Sequence, residues 1–132
     1  MAYASAMLRD PAQTYRQIDL AGRTANADGP ALVQLLYEEL CQALRVAAWA
    51  AERKKFAVKS ERVTRATAIL FALEAGLDFE KGGDVSVTLS RLYAGARRQV
   101  IEASLGHDGA PFREVAATFE EIGAAWKTAR AA

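Results

Sequence analysis

The sequence predicts an all-α protein, an antiparallel up-down four-helix bundle with a short additional N-terminal helix. Three observations lead there. Only three prolines interrupt 132 residues, of which 52% are hydrophobic with alanine abundant, a composition that favours long helices over strands. Apolar residues recur at steps of three and four through four long stretches. The breaks between those stretches are short, which makes consecutive helices antiparallel neighbours. The length suits a single domain, able to bury roughly two-thirds of the surface that its unfolded chain exposes. Residues 1–27 are expected to be a mobile segment carrying the short helix, and residues 28–132 the bundle.

In chain order, Asp10 before Pro11 reads as an N-cap and first helical residue of a short helix reaching about Thr24 through Tyr15, Ile18 and Leu20. Asn26, Asp28 and Gly29 break that pattern, and Asp28 is placed to cap a helix from about Pro30 to Lys54. Leu32, Leu36, Leu40, Leu44, Ala47 and Ala51 line one face of it. The next helix, about Val58 to Leu77, carries Val63, Ala66, Leu70, Leu73 and Leu77 as a bundle seam. Asp78 to Gly83 is expected to be a loop, its two glycines permitting the chain to reverse. A helix from about Asp84 to Leu105 follows with Val85, Leu89, Leu92, Ala96, Val100 and Ala103. After a Gly-His-Asp-Gly break at 106–109, the last helix runs from about Pro111 to Ala129 with Phe112, Val115, Phe119, Ile122 and Trp126.

Composition and charge exclude several function classes. Seventeen basic residues against sixteen acidic leave a net charge of +1, too little to attract nucleic acid or an anionic membrane. No apolar run reaches the ~20 residues that span a bilayer, so membrane insertion is not expected. The single cysteine, Cys41, cannot form an intrachain disulfide, and the first nine residues lack a signal-peptide core, so the cytoplasm is the expected location. No catalytic, metal or cofactor site is expected. His107, the one histidine, sits in a Gly-flanked loop, and Cys41 sits mid-helix beside core positions, where a free cysteine behaves as a small hydrophobe. Gly82 and Gly83 lack the Lys-Ser/Thr pair of a phosphate loop, and Glu80 and Asp84 would repel phosphate. The clusters Arg53-Lys54-Lys55 and Arg97-Arg98 are short and lie near acids, as on a solvated helix face.

Surplus apolar residues stand out instead. Trp49 lies five residues past Leu44, about 140° around the helix at ~100° per residue, and joins Leu35 and Val46 in a second stripe. Ile69 and Phe71 fall outside or at the edge of the next helix's seam. Together with Leu73 these residues are the candidate partner-binding groove, because large aromatics are enriched where partners bind and interhelical grooves accept amphipathic segments.

The segment LEAGLDFEKGGDVSVTLSRLY, Leu73 to Tyr93, resembles the helix-loop-helix of the bacterial flagellin export chaperones, the FliS family. PALVQLLYEEL (Pro30 to Leu40) and EVAATFEEIGAAWK (Glu114 to Lys127) resemble its flanking blocks in order and approximate spacing. Leu32, Leu36 and Tyr37 match the first block, Asp78, Glu80, Lys81, Gly82 and Gly83 the central loop, Leu89, Leu92 and Tyr93 the block after it, and Ile122 and Trp126 the last. The resemblance implies a helical bundle that binds the C-terminal segment of flagellin, disordered before assembly, prevents its premature polymerisation and delivers it to the flagellar type III export gate. It further implies that Tyr15 helps to cover the client groove and docks on that gate. A competing expectation is a structural or regulatory bundle that forms a homodimer through the same surplus stripe.

Overall fold

The computed structural model describes residues 29–131. The expected helix near residues 10–24, with Tyr15, and the Asp28 cap lie outside the described residues. Among the described residues the chain is helical without a strand: α1 (Gly29–Glu52), α2 (Phe56–Ala75), α3 (Phe79–Gly82), α4 (Asp84–Ala103) and α5 (Ala110–Ala131).

Helix α1 packs along both α2 and α5, α2 also packs on α4, and α4 on α5, so the four long helices close a ring. Residues that meet across α1 and α5 run in opposite order: Gln34 Nε2 donates to the Gly123 carbonyl, Cys41 Sγ to the Ala116 carbonyl, and Arg113 Nη2 to Glu52 Oε2. The same holds for α2 and α4, through Lys59 with Ser104 and Glu74 with Ser90. The core comes from all four long helices. Helix α1 supplies Leu36, Leu40 and Leu44 with Ala43, Ala47, Ala48 and Ala51, small residues that let two neighbours approach its axis. Facing them are Ile69 and Leu70 from α2, Val100 from α4, and Phe112 and Phe119 from α5. Truncating any one of these large side chains to alanine would cost about 2–5 kcal/mol.

Two polar features organise this interior. The hydroxyls of Tyr37 and Tyr93, both buried, lie 2.7 Å apart, so each ring is enclosed without an orphaned oxygen. Tyr37 also packs edge-on to Phe119 and tilted against Trp126, with ring centroids 5.2 and 5.0 Å away. At one end of the bundle the buried Lys59 ammonium donates to the carbonyls of Ser104 and Gly106, at 2.9 and 3.1 Å. It thereby satisfies orphan acceptors where α4 ends and complements the negative end of that helix.

The connections are built locally. Helix α1 ends in a Schellman turn: the Lys55 amide bonds the Ala50 carbonyl and the Lys54 amide the Ala51 carbonyl, with Lys54 at φ +56°. Asp78 Oδ1 accepts from the Lys81 amide at 3.0 Å and so starts α3, a single turn inside the segment expected to be a loop. Gly83 then takes φ +51°, open to glycine and costly for other residues. Asp108 Oδ1 accepts from the Ala110 amide at 2.9 Å and opens α5.

Candidate partner-binding surface

The residues expected to form one groove are distributed over three environments. Leu35 and Val46 are half-buried on the outer face of α1, and Trp49, further along that face, is 42% exposed. The Arg53 guanidinium, one helical turn on, stands 5.0 Å over the Trp49 ring. Phe71 lies at the seam of α2 with α4, where the Arg97 guanidinium covers it at 5.2 Å. Arg97 is itself held by Glu74, at 2.9 Å, and the other Glu74 oxygen accepts from Ser90. Ile69 and Leu73 are core residues, 0% and 3% exposed. The expectation that these two side chains face a partner is therefore corrected. Helix α2 packs against α1 and α4 together, so its apolar arc is wider than one seam and takes Ile69, Leu70, Ala72 and Leu73 inside.

Apolar surface that the periodicity did not single out lies elsewhere. Phe56 at the start of α2 and Ile101 and Leu105 at the end of α4 are exposed, Leu105 by 85%, beside the Lys59 clasp. The Phe56 ring meets the His107 ring at 5.6 Å. Among the described residues, troughs between helices include three of note. One, about 520 Å³, separates α4 from α5, with Leu92, Ala96, Val115 and Phe119 along it and Arg91, Gln99 and Glu114 on its rims. A second, about 360 Å³, follows α1 and α5 over Tyr37, Cys41 and Phe119. Its mouth is spanned by the ion pair of Arg45 with Glu120, exposed and thus weakly stabilising. A third, about 310 Å³, is almost wholly apolar and lies between Pro30 and Val33 of α1 and Trp126 and Ala129 of α5. Such troughs depend on the spacing between helices, to which a single helix's periodicity is blind.

The chemistry offered is that of binding. Burial, and then the nearby Glu120 charge, push the Cys41 thiol up to about 12, so it remains a protonated hydrophobe donating weakly to the Ala116 carbonyl. Among the described residues no three His, Cys, Asp or Glu side chains gather as metal ligands. Nor is any helix among them long and apolar enough to cross a membrane.

Comparison with known proteins is consistent along the chain. Residues 11–132 match the family model described as flagellar protein FliS. A flagellar secretion chaperone FliS of Salmonella typhimurium is 31% identical over 116 residues, covering 87% of this chain and 86% of the relative. FliSB of Pseudomonas aeruginosa, also named a flagellar secretion chaperone, is 30% identical over 112 residues, 85% of this chain and 89% of the relative. The flagellar secretion chaperone FliS of Vibrio cholerae is 27% identical over 119 residues, 90% of this chain and 88% of the relative.

Proposed function

The chain belongs to the FliS family of flagellar proteins, and from that premise we propose that it is a chaperone of flagellar export, not an enzyme, acting in the bacterial cytosol on flagellin. The client segment is flagellin's C-terminal tail, which folds as it binds; holding it prevents premature polymerisation and delivers it to the type III export gate. The observation that carries this is a bundle whose core is closed by its own side chains while Trp49, Phe56, Ile101 and Leu105 stay in water. Large aromatic and aliphatic groups left out of a completed core serve association.

On the α1 face, Leu35, Val46 and Trp49 receive the apolar side of the client, Phe71 offers a separate contact at the α2–α4 seam, and Ile69 and Leu73 hold the helices beneath. Tyr15, ahead of the bundle, is assigned to covering the groove and docking on the gate. Ordering a disordered tail costs several kcal/mol, so affinity requires a long wrapped contact, and release needs no chemistry from the chaperone.

Isothermal titration calorimetry with a synthetic flagellin C-terminal peptide tests the proposal. The expected result is saturable binding with a strongly negative heat-capacity change. Trp49→Ala should weaken it by about 1–2 kcal/mol while leaving the helical circular dichroism unchanged. No heat with the unmodified chain overturns the assignment. Exposure of Phe56, Ile101 and Leu105 at one end favours a second reading, self-association through that end. Sedimentation equilibrium across a hundredfold concentration range separates the two, since a client chaperone keeps its mass until peptide is added.

A further inference from the structure

A whole-chain charge of +1 averages over two unlike ends. Where α1 turns into α2, Arg53, Lys54 and Lys55 are exposed in succession, and beside them stand the exposed Phe56, Ile101 and Leu105. The surface is continuous. Arg53 covers Trp49, the Phe56 ring meets His107, and Lys59 beneath ties the start of α2 to the Ser104 and Gly106 carbonyls on either side of Leu105. At the opposite end the exposed Phe79 and Val85 have different company: Asp78, Glu80 and Asp84, with Lys81.

Most acids near the basic end are already engaged. Glu52 is held by Arg113 at 2.6 Å, Glu61 lies 3.9 Å from Arg62, and Asp108 caps the Ala110 amide, while Glu102 faces water. Among the described residues Lys54 and Lys55 form no ion pair, and Arg53 bonds only the Trp49 carbonyl and ring. Nor is this end concave: the three troughs are lined by other residues, whereas Phe56 and Leu105 project. A peptide needs a groove or a strand edge to order it, but a fluid surface moulds itself around protruding side chains. Three apolar side chains also fall well short of the roughly 20–30 residues a side that a stable dimer interface uses.

We propose that the basic end of the bundle docks on an anionic lipid surface. Phe56, Ile101 and Leu105 enter the boundary between headgroups and acyl chains, and Arg53, Lys54 and Lys55 meet the phosphates. Buried apolar area and attraction to anionic headgroups add in such contacts, which need no spanning helix. The acidic end then points away from the lipid. This surface does not rest on the export role proposed above, since flagellin binding and lipid binding are separate measurements and either can fail alone.

Co-sedimentation with vesicles tests it, using phosphatidylcholine alone and an equal mixture with phosphatidylglycerol, with circular dichroism recorded for each variant. The unmodified chain should pellet with the anionic vesicles and not with the neutral ones, and added salt should release it. Lys54→Ser with Lys55→Ser should weaken partitioning about 30-fold, at about fivefold for each cation near the surface. The fold tolerates this pair, because serine at position 55 suits the start of α2. Phe56→Ser with Leu105→Ser, both exposed, should also release the chain, while Phe79→Ser at the acidic end should bind as the unmodified chain does. Absence of binding by the unmodified chain, equal binding to both vesicle types, or full binding by the folded double-lysine variant overturns the proposal. So does retention of poly-L-glutamate without retention of vesicles, which would assign the end to an acidic protein segment. A mass that grows with concentration and is restored to the monomer by Phe56→Ser with Leu105→Ser would give the end to a second copy and overturn it equally.

Discussion

Tyr37 and Tyr93 come together from positions 56 residues apart and exchange a hydrogen bond inside the bundle. Burial, then the bond to Tyr93, push the Tyr37 hydroxyl far above the ordinary tyrosine range, so the pair stays neutral. Tyr37→Phe should cost about 1–2 kcal/mol in urea unfolding, mostly by stranding part of the Tyr93 hydroxyl's bonding. The double change to phenylalanine should cost less than the sum of the two single ones, and additive costs would show that the hydroxyls act separately. Cys41 offers a second measurement. Its thiol is protonated up to about 12 when folded, whereas an unfolded thiol ionises near 8.5, so the stability contribution is intact below about pH 8.5 and lost as pH rises toward 12. A disulfide-exchange reagent at pH 8 should therefore label it slowly until denaturant is added. The burial of Cys41 was legible from its mid-helix place among core positions. The partnership of Tyr37 with Tyr93 was not, since it depends on how two distant helices are aligned.

At the scale of elements, hydrophobic periodicity located the four long helices to within two residues at each end, because each buries a broad stripe over five or more turns. It passed over α3, whose four residues hold no period, and whose start is set by the Asp78 side chain. Helix edges within α2 were also misjudged: a residue one step from the Leu70 seam is exposed when a helix has one neighbour and buried when it has two, as Ile69 is. The end of α1 carries a testable strain. Lys54 occupies the positive-φ position of the Schellman turn, normally filled by glycine. Lys54→Gly should stabilise the fold by about 0.5–1 kcal/mol in chemical denaturation despite loosening the unfolded chain. A loss of stability would mean that the Lys54 stem contributes packing that outweighs its backbone cost.

Across the described residues, the four long helices form a ring whose two ends are closed differently. At one, Lys59 holds the last carbonyls of α4 beneath the α1–α2 turn; at the other, Trp126 leans on Tyr37. Lys59→Met should cost about 1.5–3 kcal/mol, since the carbonyls lose a charged donor in a half-enclosed place. Hydrogen exchange should accelerate around residues 101–106 more than elsewhere, and uniform acceleration would count against a local clasp. The exposed Arg45–Glu120 and Arg113–Glu52 pairs should matter little by comparison.

Placement of the two tryptophans has a practical corollary. Trp49 stands in water on the flank of α1, while Trp126 is packed against an aromatic ring. The unlabelled chain thus carries two built-in lamps of different colour: a red-emitting indole open to iodide quenching, and a bluer one partly shielded by its neighbours. Dimming of the first reports company arriving at the flank, and reddening of the second reports the interior coming apart, so occupancy and integrity can be followed in one cuvette without a dye.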